Sequence, residues 1–238
     1  MSDGPLIVAI DGTSGVGKST VARRLAVALG VSYLETGAMY RALGLKVDQL
    51  GVDPRDQAMV GGLAADLNLE LRRTADGSVE VLLDGERLGE RARQPRISEI
   101  TSAISAHPAV RRIMVERQRS FAESGGAVVE GRDIGTKVFP DTPHKFFLHA
   151  PLETRVRRRL KQLEGSGQSD LTEDELMRQV SERDLRDSTR AESPLTVNSS
   201  YRMIDTGSRT VEEVVQAILG EIQLRPQGGA VRPASPHS

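Results

Sequence analysis

Leu6-Ile7-Val8-Ala9-Ile10-Asp11 runs directly into Gly12-Thr13-Ser14-Gly15-Val16-Gly17-Lys18-Ser19-Thr20, and the fold is decided at that junction. The apolar run has the length and β-branched content of a buried strand. The stretch after it fits the spacing of a phosphate-binding loop. There, glycines let backbone N–H groups converge on phosphate oxygens while one lysine and one hydroxyl hold the terminal phosphate and magnesium. Gly12, Gly17, Lys18 and Ser19 are the fixed positions, with Thr13, Ser14, Gly15, Val16 and Thr20 between and beside them. A nucleoside triphosphate is the expected ligand, with magnesium at Ser19.

Outward from the loop, short apolar runs alternate with helical periods, the pattern of a parallel sheet flanked by helices. A helix is expected from Lys18, burying Val21, Leu25 and Leu29 and stopping at Gly30, with a second strand over Val31 to Leu34. From Leu69 to Leu83 the period becomes an alternation around Ala75-Asp76-Gly77, which reads as a hairpin and hence as antiparallel structure inserted into a parallel fold. Ile97 to Ala106 reads as helical, and Pro108 opens another helix with Val110, Ile113, Met114 and Phe121 on its core side. Ala127 to Glu130, Lys145 to Ala150 and Tyr201 to Asp205 read as strands. Thr172 with Glu175, and Thr210 with Glu213, form capping boxes at two later helix starts. The tail from Arg225 is rich in Pro, Gly and Ser without apolar periodicity, so disorder is expected over 225–238.

The composition narrows the setting. A net charge of −1 gives no sign of a nucleic-acid or membrane-surface binder. The absence of cysteine rules out a disulfide framework and a thiolate metal site. With no basic n-region and no apolar run of membrane-spanning length, a cytoplasmic protein is expected.

A phosphate loop alone does not choose between kinase, GTPase and motor ATPase. Three arginine-bearing clusters bear on that choice: Glu35 to Arg41, Glu130 to Thr136, and Glu182 to Arg190. The first two follow strand ends, where sites in open parallel sheets form, so both should face the crevice of the phosphate loop. In the third, Arg183, Asp187 and Arg190 fall at i, i+4 and i+7 on one helix face. That pattern alone also suits a solvated, ion-paired helix. Phosphoryl transfer favours the other reading, because it spreads negative charge over oxygens that positioned arginines hold.

On these residues the chain resembles the bacterial cytidylate kinases from about Leu6 to Ile222. The resemblance rests on IDGTSGVGKST at Ile10 to Thr20, ETGAMYRA at Glu35 to Ala42, HPAVR at His107 to Arg111, EGRDIGTKVFPDTPHKFFL at Glu130 to Leu148, and ERDLRDSTRAESPL at Glu182 to Leu195. It implies a nucleoside monophosphate kinase fold over 1–224, with a parallel core sheet. A monophosphate-binding insertion of about 60–105, enlarged by a small antiparallel sheet, and a short lid of about 157–168 complete it. The implied activity is ATP-dependent phosphorylation of CMP and dCMP by a monomer, with Mg²⁺. Gly12 to Thr20 would hold ATP, Lys18 bridging its β- and γ-phosphates. Arg41 and Arg132, with Thr36 and Ser14, would clamp the acceptor phosphate. Ser102, Arg111 and Asp133 would face the cytosine, and Arg183 and Asp187 the ribose. Arg190 would lie at the transferring phosphate or base, and Arg158 would close over the donor phosphates. Glu130 stands where relatives often carry Asp, which leaves its reach toward magnesium open. Kinases for UMP, AMP or shikimate share such a core and remain alternatives. A GTPase should carry Asn-Lys-x-Asp, which is absent from the sequence.

Overall fold

The computed structural model describes residues 4–74, 77–164, 172–190 and 192–224. Its centre is a five-stranded parallel sheet of β1 (Ile7–Gly12), β2 (Ser32–Glu35), β6 (Ala127–Gly131), β7 (His144–His149) and β8 (Arg202–Asp205), in the order β2-β6-β1-β7-β8. All neighbours run parallel, so every carboxyl end lies along one rim. β1 is central, with Asp11 opposite Gly131 on one side and Phe147 on the other.

The alternation along β1 sorts its side chains onto two faces. Val8 and Ile10 pack with Leu25 and Ala22 of α1 (Lys18–Leu29) and Val215 and Ile218 of α8 (Val211–Leu224). Ala9 faces Met39 and Leu43 of α2 (Thr36–Gln49) and Met114 of α5 (Pro108–Glu123). Each such fully buried leucine or isoleucine contributes about 1.5–3 kcal/mol. α1 starts from Gly17, held left-handed at φ 96°, and ends at left-handed Gly30 as the sequence predicts, although Leu29 is only partly buried.

Between α2 and α5 the chain departs from the parallel plan. It forms α3 (Gln57–Ala65), then the antiparallel strands β3 (Leu69–Arg73), β4 (Val79–Leu83) and β5 (Glu86–Arg87), and then α4 (Pro95–Ile104). The expected hairpin is present, with Leu69 opposite Leu83, while Ala75 and Asp76 at its tip lie outside the described residues. The Gly77 carbonyl accepts from the Tyr33 amide at 3.0 Å, joining the hairpin to the edge of the main sheet. α4 presses on α2 so closely that a Cβ on Gly44 would stand 2.6 Å from Thr101 Oγ1.

Two helices, α6 (Leu152–Glu164) and α7 (Glu173–Thr189), pack on each other through Val156, Leu176 and Val180. Of the segment read as a lid, 157–164 belongs to α6 and 165–168 lies outside the described residues, as does the tail 225–238. Both expected capping boxes form: Thr172 with Glu175 and Thr210 with Glu213 exchange hydrogen bonds in both directions. One placement needs correction. The helix stops one residue short: α7 ends at Thr189, and Arg190 is its C-cap, its amide still bonded to the Arg186 carbonyl and its side chain still beside Asp187 while the chain turns extended at ψ 141°.

Candidate active site

The carboxyl ends of β1, β2 and β6 carry most of the candidate site residues, and α7 supplies the rest. At the end of β1 the loop turns through glycines, and a Cβ on Gly12 would fall 2.3 Å from the Leu148 carbonyl oxygen, so only glycine fits. Lys18 folds back over the loop, its Nζ donating to the carbonyls of Gly12 at 2.9 Å and Thr13 at 2.8 Å. Burial, then the nearby Arg132 guanidinium, lowers its pKa to about 7 against the opposing pull of Glu130. The ammonium is thus poised on the carbonyls of a loop built for anions.

Glu130, near the end of β6, is nearly fully buried. Its Oε1 accepts from Ser19 Oγ at 2.7 Å and from Tyr33 Oη at 2.9 Å, while Oε2 is buried with no hydrogen-bond partner among the described residues. The Thr36 hydroxyl, at the start of α2, donates its single proton to the Glu130 carbonyl at 2.8 Å. Arg41, further along α2, is paired with Glu35 at 2.5 Å.

Beyond β6, a file of alternating charges crosses the cleft. Arg132 Nε donates to Asp187 Oδ2 at 2.7 Å; Arg190 lies 4.0 Å from Asp187 and 3.7 Å from Asp133 Oδ1; and Asp133 Oδ2 pairs with Arg111. Arg111 also donates to the Ser105 carbonyl at 3.2 Å and lies over the Tyr40 ring, and Ser105 Oγ donates to the Ser102 carbonyl at 3.0 Å. Burial pushes the Asp187 carboxyl up, but Arg132, Arg183 and Arg190 outweigh it and hold the group below its ordinary value. Arg183, one turn before Asp187 on α7, is exposed to solvent and lies near the Arg132 and Asp187 pair. This is a site crowded with cations and short of anions.

The structure thus brings Lys18, Ser19, Thr36, Arg132, Asp133, Arg111, Asp187 and Arg190 into one connected set. Arg158 stands apart: it braces the underside of the loop, donating to the Val16 carbonyl at 3.4 Å and to the Thr206 carbonyl at 2.5 Å. Three residues that hold the loop and its surroundings have no role assigned from sequence. Asp184 accepts the Ser14 amide at 3.0 Å, and Arg155 pairs with Asp184 while donating to the Ser14 carbonyl at 3.1 Å. Asp11 accepts from the amides of Ile134 and Gly135 and from Tyr201 Oη. A carboxylate closing an apolar parallel strand was the available signal for Asp11. Asp184 had none, since it lies among other charges on a polar helix.

A five-stranded parallel sheet with this loop at its central strand defines a P-loop nucleotide-binding α/β protein. A solved structure of an uncharacterised protein from Eubacterium ventriosum shares the fold, at TM-score 0.51 and 17% identity over 92% of this chain and 99% of that one. The family model for cytidylate kinase matches residues 8–224. A cytidylate kinase of Pelotomaculum thermopropionicum is 45% identical over 90% of this chain and 95% of its own length, and one of Geobacter sulfurreducens is 44% identical over 92% and 94%. The chain belongs to the cytidylate kinase family, phosphotransferases acting on CMP and dCMP.

Proposed function

We propose that this chain moves the γ-phosphoryl group of ATP onto the phosphate of CMP or dCMP by in-line displacement, without a covalent enzyme intermediate. The file of alternating charges carries the reading: it begins at Arg132, beside Lys18, and its far end is the buried pair Asp133–Arg111, whose carboxylate suits the reading of a base. The amides of Gly12 to Thr20 would cradle ATP, with Lys18 at its β- and γ-phosphates. Arg41 and Arg132, with Ser14, would take the acceptor phosphate, and Thr36 would join them by turning its hydroxyl from the Glu130 carbonyl. Arg183 and Asp187 would meet the ribose, Arg190 the transferring group or base, and Ser102, Arg111 and Asp133 the cytosine. The acceptor phosphate is largely dianionic at neutral pH and needs no general base. The protein contributes positioning, charge neutralisation and exclusion of water.

Magnesium suits the pair of Ser19 and Glu130, because Glu130 keeps one buried carboxylate oxygen without a partner beside the Ser19 hydroxyl. Those two residues would hold it, with nucleotide phosphates supplying further oxygens. When bound, the ion neutralises phosphate charge. In the same reading, about 157–168 would form the lid, and Arg158 would reach the donor only after leaving Thr206. The setting is the cytoplasm, and the working unit a monomer.

Base choice tests the proposal. Asp133 Oδ2 is held by Arg111, whereas Oδ1 lies 3.7 Å from Arg190, beyond hydrogen-bond length, and is the oxygen left to accept from the cytosine amino group. Uracil presents an acceptor there instead. Leaving the carboxylate unpaired against it costs about 2–3 kcal/mol, a preference for CMP over UMP of roughly 30- to 150-fold in kcat/KM. Asp133→Asn should narrow the gap, since an amide can turn its NH₂ toward the uracil oxygen. Equal use of CMP and UMP by the parent would sink the assignment, and ATP consumption independent of CMP would point to a nucleotide-dependent switch.

A further inference from the structure

Asp11 is completely buried on the central strand, directly before the first glycine of the phosphate loop. Its oxygens reach outside the strand: Oδ1 accepts from the Ile134 amide at 2.9 Å, and Oδ2 from the Gly135 amide at 2.8 Å and Tyr201 Oη at 2.6 Å. Ile134 and Gly135 open a wide turn, Ile134–Val138, in which the Val138 and Phe139 amides reach back five residues to Asp133 and Ile134. Amides at the start of a helical turn need acceptors, and the Asp11 carboxyl provides them for Ile134 and Gly135. The two residues just before the turn are Arg132 and Asp133, which the proposed function assigns to the acceptor.

The placement of that turn is over-determined from the sheet side. Next to Asp11, the backbone of Gly12 runs so close to β7 that a Cβ there would meet the Leu148 carbonyl oxygen at 2.3 Å. Across the turn, a Cβ on Gly135 would stand 2.7 Å from Tyr201 Oη, the group that also donates to Asp11. Asp133 itself has φ −145° and ψ 25°, outside both the strand and helix basins, so its conformation is held by its surroundings. We propose that Asp11 is a positioning residue for acceptor selection: by gripping the Ile134 and Gly135 amides it aims Asp133 at the base, tying base choice to the strand that carries the phosphate loop. The proposal rests on the assignment of Asp133 to the cytosine.

Asp11→Asn keeps the shape and removes half of the grip. Its single oxygen can serve one amide, but its NH₂ then confronts the other N–H, donor against donor. The turn should relax, and a small misplacement of Asp133 is enough to blur the choice of base. We would measure kcat/KM for CMP and UMP side by side in the parent, Asp11→Asn and Asp133→Asn, with melting temperatures. The expected result is a CMP:UMP ratio lowered by about threefold or more in Asp11→Asn. That ratio does not depend on how much of a sample is folded, so loss of stability alone leaves it unmoved. A ratio that collapses in Asp133→Asn but stays within about twofold of the parent in Asp11→Asn would overturn the proposal. A ratio unmoved in Asp133→Asn would instead remove the base assignment beneath it. Should Asp11→Asn give no folded protein, Gly135→Ala drives a methyl against Tyr201 at the same contact. It should lower the ratio likewise, and a parental ratio there also overturns the proposal.

Discussion

Lys18 should gain a proton when ATP binds. Its ammonium donates to the carbonyls of Gly12 and Thr13, and burial with Arg132 nearby outweighs Glu130 and Asp187 and lowers its pKa to about 7. A triphosphate replaces those neutral partners with anionic oxygens. One charge pair at ~4 Å is worth about 4 kcal/mol at an effective dielectric of ~20, which is about three pKa units, so Lys18 in the complex should titrate near ~10. At pH 8 the free protein then holds roughly 0.1 proton on Lys18 and the complex nearly one, so each ATP bound takes up roughly 0.9 proton; at pH 6 the uptake shrinks to roughly 0.1. By the same linkage, affinity should fall roughly tenfold per pH unit from 7 toward 10. Titration calorimetry at pH 8 in buffers of differing ionisation enthalpy counts the proton, and Lys18→Met should abolish it. Uptake below about 0.2 in the parent, or an unchanged count in Lys18→Met, would refute the reasoning. The sign for stability is also set. A lysine with depressed pKa binds fewer protons folded than unfolded, so stability should rise with pH from 7 to 10 in the parent, and less in Lys18→Met.

Two further outcomes concern the fold. Gly12→Ala forces a Cβ to within 2.3 Å of the Leu148 carbonyl at φ 153°, and should cost about 3 kcal/mol or more, lowering the melting temperature by roughly 10 °C. Thr172→Ala breaks the capping box of α7, and should speed amide exchange in its first turn by about fivefold while leaving the exchange of β1 unchanged.

The features legible in the sequence are those whose physics is local. The phosphate loop, the Gly30 stop, the hairpin and both capping boxes each depend on residues within a few positions of one another, and each stands where expected. Strand limits drift by a residue: Val31 gives way to Ser32, and Tyr201 leaves its strand to bond Asp11. Helical spacing placed Arg183 and Asp187 correctly but carried α7 one residue too far, because the geometry of Arg190 is set by its partners Asp133 and Asp187 and by the Ser193 carbonyl. The grip of Asp184 on Ser14 joins residues 170 apart, a pairing that follows from packing and that no short motif encodes. Arg158, a cation suited to phosphate, donates to the Val16 and Thr206 carbonyls, partners far from it in sequence that no short motif encodes.

The central position of β1 has a consequence during synthesis. Asp11 meets Ile134 only 123 residues later in the chain, and Tyr201 190 residues later. At about 5–20 residues per second, the first strand leaves the ribosome roughly 6–25 s before its neighbours exist. Throughout that interval Ile7 to Ile10 is an unpaired apolar segment, and the loop after it has no sheet to hold it open. Nucleotide cannot nucleate this fold from its N-terminus. The newborn chain must wait, shielded or collapsed, until β6 and β7 arrive on either side, and competence to bind phosphate emerges late and all at once.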